Sequence, residues 1–333
     1  MRLRNILASF AAAVTLVGVG STAVSQPVPF AGGPPANAPP PKAVPPGPYE
    51  VTIESAPSLP SHTVYRPTDL SKFGRTKLPI VGWGNGGCIN GGRVHETFLR
   101  KIASHGFFVV SIGPSDIGAP DLSGIKPGQP LPPLRPDQQS TAQQLLDGVD
   151  WAIAENSKAG SPYAGKLDTK AIAVMGQSCG GMQAIKVSSD PRIKTSIIWN
   201  SGILGRSPGP ASAPGAAPMP APPAGMVMPA KQEDLKGFHA PVAYFIGGPT
   251  DIAYAASESD FRSIEGVPVF NANLNVGHGG TFNQPNGGRF GEVGVAWLSW
   301  QLKGDKEAAK MFVGPDCGLC TDPVWTVKKK NMP

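Results

Sequence analysis

The run Ala171-Ile172-Ala173-Val174-Met175-Gly176-Gln177-Ser178-Cys179-Gly180-Gly181 constrains this chain more than any other feature. Its apolar half, entered through Leu167-Asp168-Thr169-Lys170, reads as a buried strand, and residues 182–187 can continue as a helix. Between the two, a Gly-x-Ser-x-Gly pentapeptide has to turn the backbone sharply from strand to helix. On so tight a turn, side chains two positions either side of the serine would collide, so Gly176 and Gly180 remove them. The Ser178 hydroxyl is then left exposed above the end of the strand, which presupposes a sheet with helices packed against it.

The remaining apolar pattern supplies that sheet. Residues 49–54 and 63–66 alternate like early antiparallel strands, and 79–83, 107–112, 196–199, 242–246 and 267–270 read as further strands. Helices are expected over 94–104, where Phe98, Leu99 and Ile102 share a face, over 141–155, 252–261 and 293–301. Strands alternating with helices predict an α/β fold, a mostly parallel central sheet flanked by helices on both faces. The folded domain is expected over 49–333, enough chain for one large core. A segment at 205–230, rich in Pro, Ala and Gly and lying between late strands, reads as a flexible surface insertion. The alternative is a mobile cover in which Met219, Met226 and Met228 make adaptable apolar contacts.

Arg2 and Arg4 precede an apolar stretch from Ile6 to Val19, and Ala23-Val24-Ser25 is a small-residue cleavage site, so residues 1–25 read as a secretory signal cut near Ser25. The apolar run falls short of the ~20 residues that span a bilayer, and no stable membrane anchor is expected. Residues 26–48 are dominated by Pro, Ala and Gly and should form an extended or disordered leader. The expected destination is the periplasm or the medium. The formal charge of +6 drops by two when Arg2 and Arg4 are removed, and Lys and Arg form no stripe, so no nucleic-acid partner is expected. Lys328-Lys329-Lys330 reads as a short solvated tail.

A serine hydroxyl attacks only when a base takes its proton, and the base needs a buried acid to hold its tautomer. His278 lies in a Gly-flanked loop, Gly277-His278-Gly279, after the strand at 267–270, and Asp251 follows the strand at 242–246 through Gly247-Gly248-Pro249-Thr250. Both positions are at carboxyl ends of strands, where open α/β sheets place their sites. Asp251 can also serve as an N-cap for the helix after it. Among the other histidines, His62, His105 and His239 precede strands, whereas His95 follows the strand at 79–83 and is the rival base. The developing oxyanion requires two N–H donors. One is expected from Cys179, the other from Asn85 or Gly86 in Gly84-Asn85-Gly86-Gly87. Trp83, Asn200, Ser201 and Tyr254 lie near strand ends as candidate substrate contacts, with core packing an equal reading for Trp83.

Four cysteines in an exported chain are expected to pair, and they allow three connectivities. The preferred one is Cys88–Cys179 with Cys317–Cys320, because the loop bearing Cys88 and the turn bearing Cys179 must meet over the site. The alternative leaves Cys179 free and pairs Cys88 with the C-terminal region. No second ligand pair accompanies Cys317-x-x-Cys320, so no metal is expected there.

Together the Ser178 turn, the Gly-Gly-Pro-Thr-Asp251 strand end, the Gly-His278-Gly loop and the Gly-Asn85-Gly turn resemble the α/β-hydrolase superfamily. Within it the chain is similar to secreted enzymes near the dienelactone hydrolase-like and polyesterase–lipase–cutinase groups. The resemblance covers residues 49–302. It implies a serine esterase acting through an acyl-enzyme without a cofactor, on a small-molecule or polymeric ester, and a monomer is expected. The chain departs from dienelactone hydrolases in carrying Ser178 where they carry a cysteine, and it lacks the aromatic-Ser-Met turn of polyester-degrading relatives. The competing readings are a catalytically silent binding protein on the same fold and an amidase or peptidase using the same three residues.

Overall fold

The computed structural model describes residues 34–119, 135–203 and 228–333. The expected signal at 1–25, the start of the leader and nearly all of the 205–230 insertion lie outside the described residues. In chain order the elements are β1 (Val51–Ala56), β2 (Leu59–Pro67), β3 (Leu78–Gly84), α1 (Glu96–Ala103), β4 (Phe108–Ile112), α2 (Gln143–Ser157), β5 (Leu167–Gln177), α3 (Cys179–Val187) and β6 (Ile193–Trp199). There follow β7 (Val242–Ile246), α4 (Tyr254–Ser263), β8 (Val269–Leu274), α5 (Gly288–Lys303), the short α6 (Lys306–Ala309) and α7 (Gly318–Thr321), and β9 (Trp325–Lys330). None of the described helices is long and apolar enough to cross a membrane.

All nine strands join one sheet in the order β1-β2-β4-β3-β5-β6-β7-β8-β9. The five pairings from β4 through β8 are parallel, and β1–β2, β2–β4 and β8–β9 are antiparallel. The period of two distributes the strand side chains between two cores. Ile80, Val174 and Ile198 face a layer containing Leu145 and Val149 of α2 and Met182 and Ile185 of α3. Val81, Trp83, Met175 and Trp199 face Phe98 and Ile102 of α1 and Phe290 and Trp297 of α5. Apolar on both faces, the central strands read as continuous apolar runs because each is covered twice.

The chain winds from β3 to β4 in one direction and from β4 back across β3 to β5 in the other. The order therefore reverses between β3 and β5, whose last paired residues are Gly84 and Gly176. A crevice at the carboxyl ends of two such strands is where open α/β sheets bind ligands. Both the Gly84-Asn85-Gly86-Gly87 loop and the Ser178 turn leave the sheet at that point.

Two segments differ from the sequence expectation. The Lys328–Lys330 tail is part of β9, paired in register with β8 from Leu274↔Trp325 to Val269↔Lys330. Lys328 pairs with Glu258 and Lys329 donates to the Gly314 carbonyl. Three lysines in a row hide a strand whose position is at the sheet edge, where charged side chains keep other chains from adding on. Residues 34–48 of the expected leader are without helix or strand yet docked. The Val44 side chain is buried, Asn286 Nδ2 donates to Val44 O (2.8 Å), Lys101 Nζ to Pro45 O (2.7 Å), and Lys42 pairs with Glu292 (2.7 Å).

Candidate active site

The turn between β5 and α3 holds Ser178 at φ 54°, ψ −118°, outside the helical region it precedes. A non-glycine residue there is strained, and here the strain is held by the Ser178 N–H donating to Trp199 O (2.9 Å) and by the start of α3. The flanking glycines are required sterically. A Cβ on Gly176 would lie 2.3 Å from Gly180 O, and one on Gly180 would lie 2.1 Å from the Gly84 carbonyl. The turn is thus pressed against both its own helix and the end of β3.

Ser178 Oγ lies 3.0 Å from His278 Nε2, and His278 Nδ1 lies 2.7 Å from Asp251 Oδ1. A carboxylate only accepts, so Nδ1 carries the imidazole proton and Nε2 is free to accept from the serine. The Asp251 side chain is fully buried. Its charge is met by Gly247 N–H donating to Oδ2 (2.9 Å) and Ala253 N–H donating to Oδ1 (2.9 Å) beside the imidazole. The same carboxylate therefore holds the turn that leads into α4 and contacts the histidine, while the N-cap position of α4 is Ala253 and not Asp251.

Cys88 and Cys179 are joined in a disulfide across 91 residues, with Cα atoms 5.1 Å apart, and Cys317 is joined to Cys320. The first bridge ties the loop after β3 to the residue that follows Ser178. As the first residue of α3, Cys179 presents an N–H that the helix itself leaves without an acceptor. In the facing loop the Asn85 side chain is buried and turned inward. Its Nδ2 donates to the carbonyls of Gly91 (2.9 Å), Ile112 (3.0 Å) and Ile89 (3.2 Å), and its Oδ1 accepts from Trp83 Nε1 (2.8 Å). Asn85 thus shapes the loop with its side chain, leaving backbone N–H groups as what the loop can present. Gly86 packs directly on the Gln177 side chain.

The four expected substrate contacts fall differently. Trp83 is fully buried among Phe98, Phe282 and His95 and supports Asn85. Asn200 is fully buried, with Nδ2 donating to Gly277 O (3.0 Å) and His278 O (2.7 Å). Ser201, also buried, donates from Oγ to Ser178 O (2.6 Å). All three are buried, Trp83 in the aromatic layer, Asn200 against the His278 loop and Ser201 against the Ser178 turn. Tyr254 is half-buried at the start of α4, and its N–H donates to Asp251 O (3.0 Å). A residue not singled out in the sequence, Gln177, donates from Nε2 to His278 O (3.3 Å). A polar residue closing an otherwise apolar strand was the available signal.

The rival His95 precedes α1, its ring against Trp83 and Phe282 and its Nδ1 3.3 Å from Asn85 Oδ1. Burial pushes its pKa down to about 3, so it stays neutral. His62 sits within β2 with Nε2 on Gln144 O, and His105 and His239 bond backbone carbonyls away from the serine. Among the described residues no group of three or more His, Cys, Asp or Glu side chains could hold a metal ion.

A mostly parallel sheet covered on both faces, with a serine on the sharp turn after β5, is the α/β-hydrolase fold. No family model matches the chain. It is 28% identical over 173 residues to alpha/beta hydrolase psoB of Aspergillus fumigatus, covering 48% of this chain and 35% of that protein. It is 30% identical over 167 residues to hydrolase ffsE of Aspergillus flavipes, covering 46% and 34%. Over 97 residues it is 35% identical to alpha/beta hydrolase ucsC of an Acremonium species, covering 27% and 18%. The matched segments span about a third or less of these relatives. With the fold, the similarity supports the α/β-hydrolase superfamily.

Proposed function

We propose that this chain is an exported serine hydrolase that cleaves carboxylic esters through an acyl-enzyme formed on Ser178. The relay Ser178 Oγ–His278 Nε2 (3.0 Å) and His278 Nδ1–Asp251 Oδ1 (2.7 Å) carries the reading. In the first step Ser178 Oγ adds to the ester carbonyl while its proton passes to His278, and the buried Asp251 carboxylate stabilises the imidazolium. The N–H of Cys179 and one from Asn85 or Gly86 receive the oxyanion. Collapse expels the alcohol, which takes the proton from His278 Nε2. Water then repeats the sequence on the acyl-enzyme, releasing the acid and restoring the serine. No step requires a cofactor. Export is supported by the two disulfides and by the charged and apolar pattern of the first 25 residues.

The test is a series of p-nitrophenyl esters from acetate to palmitate, run beside labelling with a fluorophosphonate. Wild-type protein should hydrolyse part of the series and label at Ser178. Ser178→Ala should lose labelling, with kcat falling on the order of 10^6-fold. A clean Ser178→Ala preparation retaining more than a few per cent of the rate, or labelling at another residue, would overturn the assignment. Wild-type protein that neither labels nor turns over any ester would make it a silent member of the fold.

A further inference from the structure

The loop that carries His278 leaves β8 and crosses the ends of three strands. Its first half is tied to the end of β7 by backbone, the N–H groups of Val276 and Gly277 both donating to Gly247 O (3.0 and 2.8 Å). At His278 itself the support changes in kind. Two side-chain amides converge on one carbonyl: Asn200 Nδ2 at 2.7 Å and Gln177 Nε2 at 3.3 Å from His278 O, with Asn200 Nδ2 also 3.0 Å from Gly277 O. The facing groups are acceptors, so only the amide nitrogens can face them, and the orientation of both side chains follows.

The two amides come from neighbouring strand ends. Gln177 closes β5 and is paired with Trp199, the last residue of β6, and Asn200 comes next. The Asn200 N–H continues the ladder by donating to Phe245 O (2.9 Å). Its backbone is consequently fixed on the sheet while its side chain reaches across to the loop. Asn200 sits at φ 41°, a left-handed conformation that asparagine tolerates better than most residues but glycine adopts freely. It is fully buried, and its Oδ1 bonds to nothing among the described residues. In this buried amide the acceptor is unused and the donor is spent on the histidine loop.

We infer that Asn200, assisted by Gln177, is a positioning residue that clamps the His278 carbonyl and so sets the imidazole between Ser178 and Asp251. The inference rests on the triad reading and extends it to two residues that touch neither substrate nor the reacting atoms. Gln177 is adjacent to Ser178 in the chain, so through it the nucleophile turn and the histidine loop share one fixed point.

Asn200→Gly tests the clamp, because glycine is comfortable at φ 41° and removes the amide without adding strain. The variant should fold, with Tm lowered by about 2–5 °C for the lost buried amide, yet kcat on the best p-nitrophenyl ester should fall on the order of 10- to 100-fold with KM within twofold. Gln177→Ala should cost a few-fold by the same reasoning, and the double variant should lose more than the product of the two, since either amide alone still holds the carbonyl. A second readout is independent of turnover: the downfield proton NMR signal of the His278–Asp251 hydrogen bond should broaden and exchange faster in Asn200→Gly. A folded Asn200→Gly protein with wild-type kcat, or with an unchanged imidazole proton, would overturn the clamp. If wild-type protein neither labels nor hydrolyses any ester, the functional reading fails and the imidazole proton alone decides the clamp.

Discussion

Cutting the Cys88–Cys179 bridge should impair both stability and rate, and the structure sets the scale of each. The bridge closes 91 residues. By chain entropy, a loop of that length stabilises the fold by roughly 4–5 kcal/mol. For about 285 folded residues the melting entropy is about 0.6 kcal/mol/K, so the expected drop in Tm is about 8 °C. The rate follows from what the bridge joins. It fixes the loop carrying Asn85 and Gly86 against the N–H of Cys179, and misplacing one oxyanion donor completely costs about 100- to 1,000-fold in kcat. The loop does not come loose entirely, because Cys88 O still accepts from Ser140 N (2.7 Å) and Ser140 Oγ (3.0 Å), and Gln183 Nε2 holds Ser140 O (3.0 Å). The expected loss in kcat is therefore on the order of 10- to 100-fold, with KM little changed. The assay is the paired Cys88→Ala/Cys179→Ala variant, since a reducing agent would open Cys317–Cys320 as well. A drop in Tm of less than about 2 °C would refute the stability reasoning. An unchanged kcat would show that the bridge does not set the donors, and recovery of Cys88 and Cys179 in unlinked peptides on non-reducing mapping would remove the premise.

Three further outcomes are expected. His278→Ala should match Ser178→Ala in kcat, whereas His95→Ala, whose lost ring packs on Trp83 and Phe282 in the buried aromatic layer, should cost stability with less than about a tenfold loss of rate; steady-state kinetics on both separates them. Gly180→Ala should destabilise by about 1–3 kcal/mol and depress activity, because its Cβ would meet the Gly84 carbonyl at 2.1 Å; chemical denaturation beside the ester assay measures both. Burial holds His95 at about 3, His105 at about 4 and His62 below its usual value. The unfolded chain titrates these near 6.5 and takes up protons first, so stability is full above about pH 6.5 and declines as the pH falls toward the folded values. Tm measured from pH 8 to pH 4 should trace that decline, with a shallower slope in His95→Gln.

The parts of this site that could be read from the sequence are those with a one-dimensional signature. Gly176 and Gly180 flank Ser178 at a fixed spacing because the turn's own backbone closes on itself, so the steric rule is local. Asp251 and His278 follow β7 and β8 within a few residues, and strand ends are recognisable where an apolar run meets Gly and Pro. The Cys88–Cys179 pairing is preferred in the sequence because the loop with Cys88 and the turn with Cys179 are expected to meet over the site, and the structure joins them where adjacent β3 and β5 end. β9 escaped notice because its alternating residues, Trp325 and Val327, are too few to set a period against three consecutive lysines. The docked stretch at 34–48 escaped for a related reason: two of its contacts are between side chains of the domain and its own backbone carbonyls, which every sequence possesses.

That last point governs the supports of the site as a whole. Asn85 donates to three backbone carbonyls, Asn200 to two, Gln177 to one and Ser201 to that of Ser178 itself. A side chain that pairs with another side chain leaves two residues to notice, but one that pairs with a carbonyl leaves one, and its partner is chosen by the fold alone. Trp83, Asn200 and Ser201 lie at strand ends beside the Ser178–His278 pair, and whether each faces solvent or the interior depends on pleat and twist. Asn200 illustrates the consequence. As a substrate contact its loss would raise KM, and as a clamp on His278 its loss lowers kcat, so the KM-against-kcat split of Asn200→Gly distinguishes which side of the strand end the residue serves.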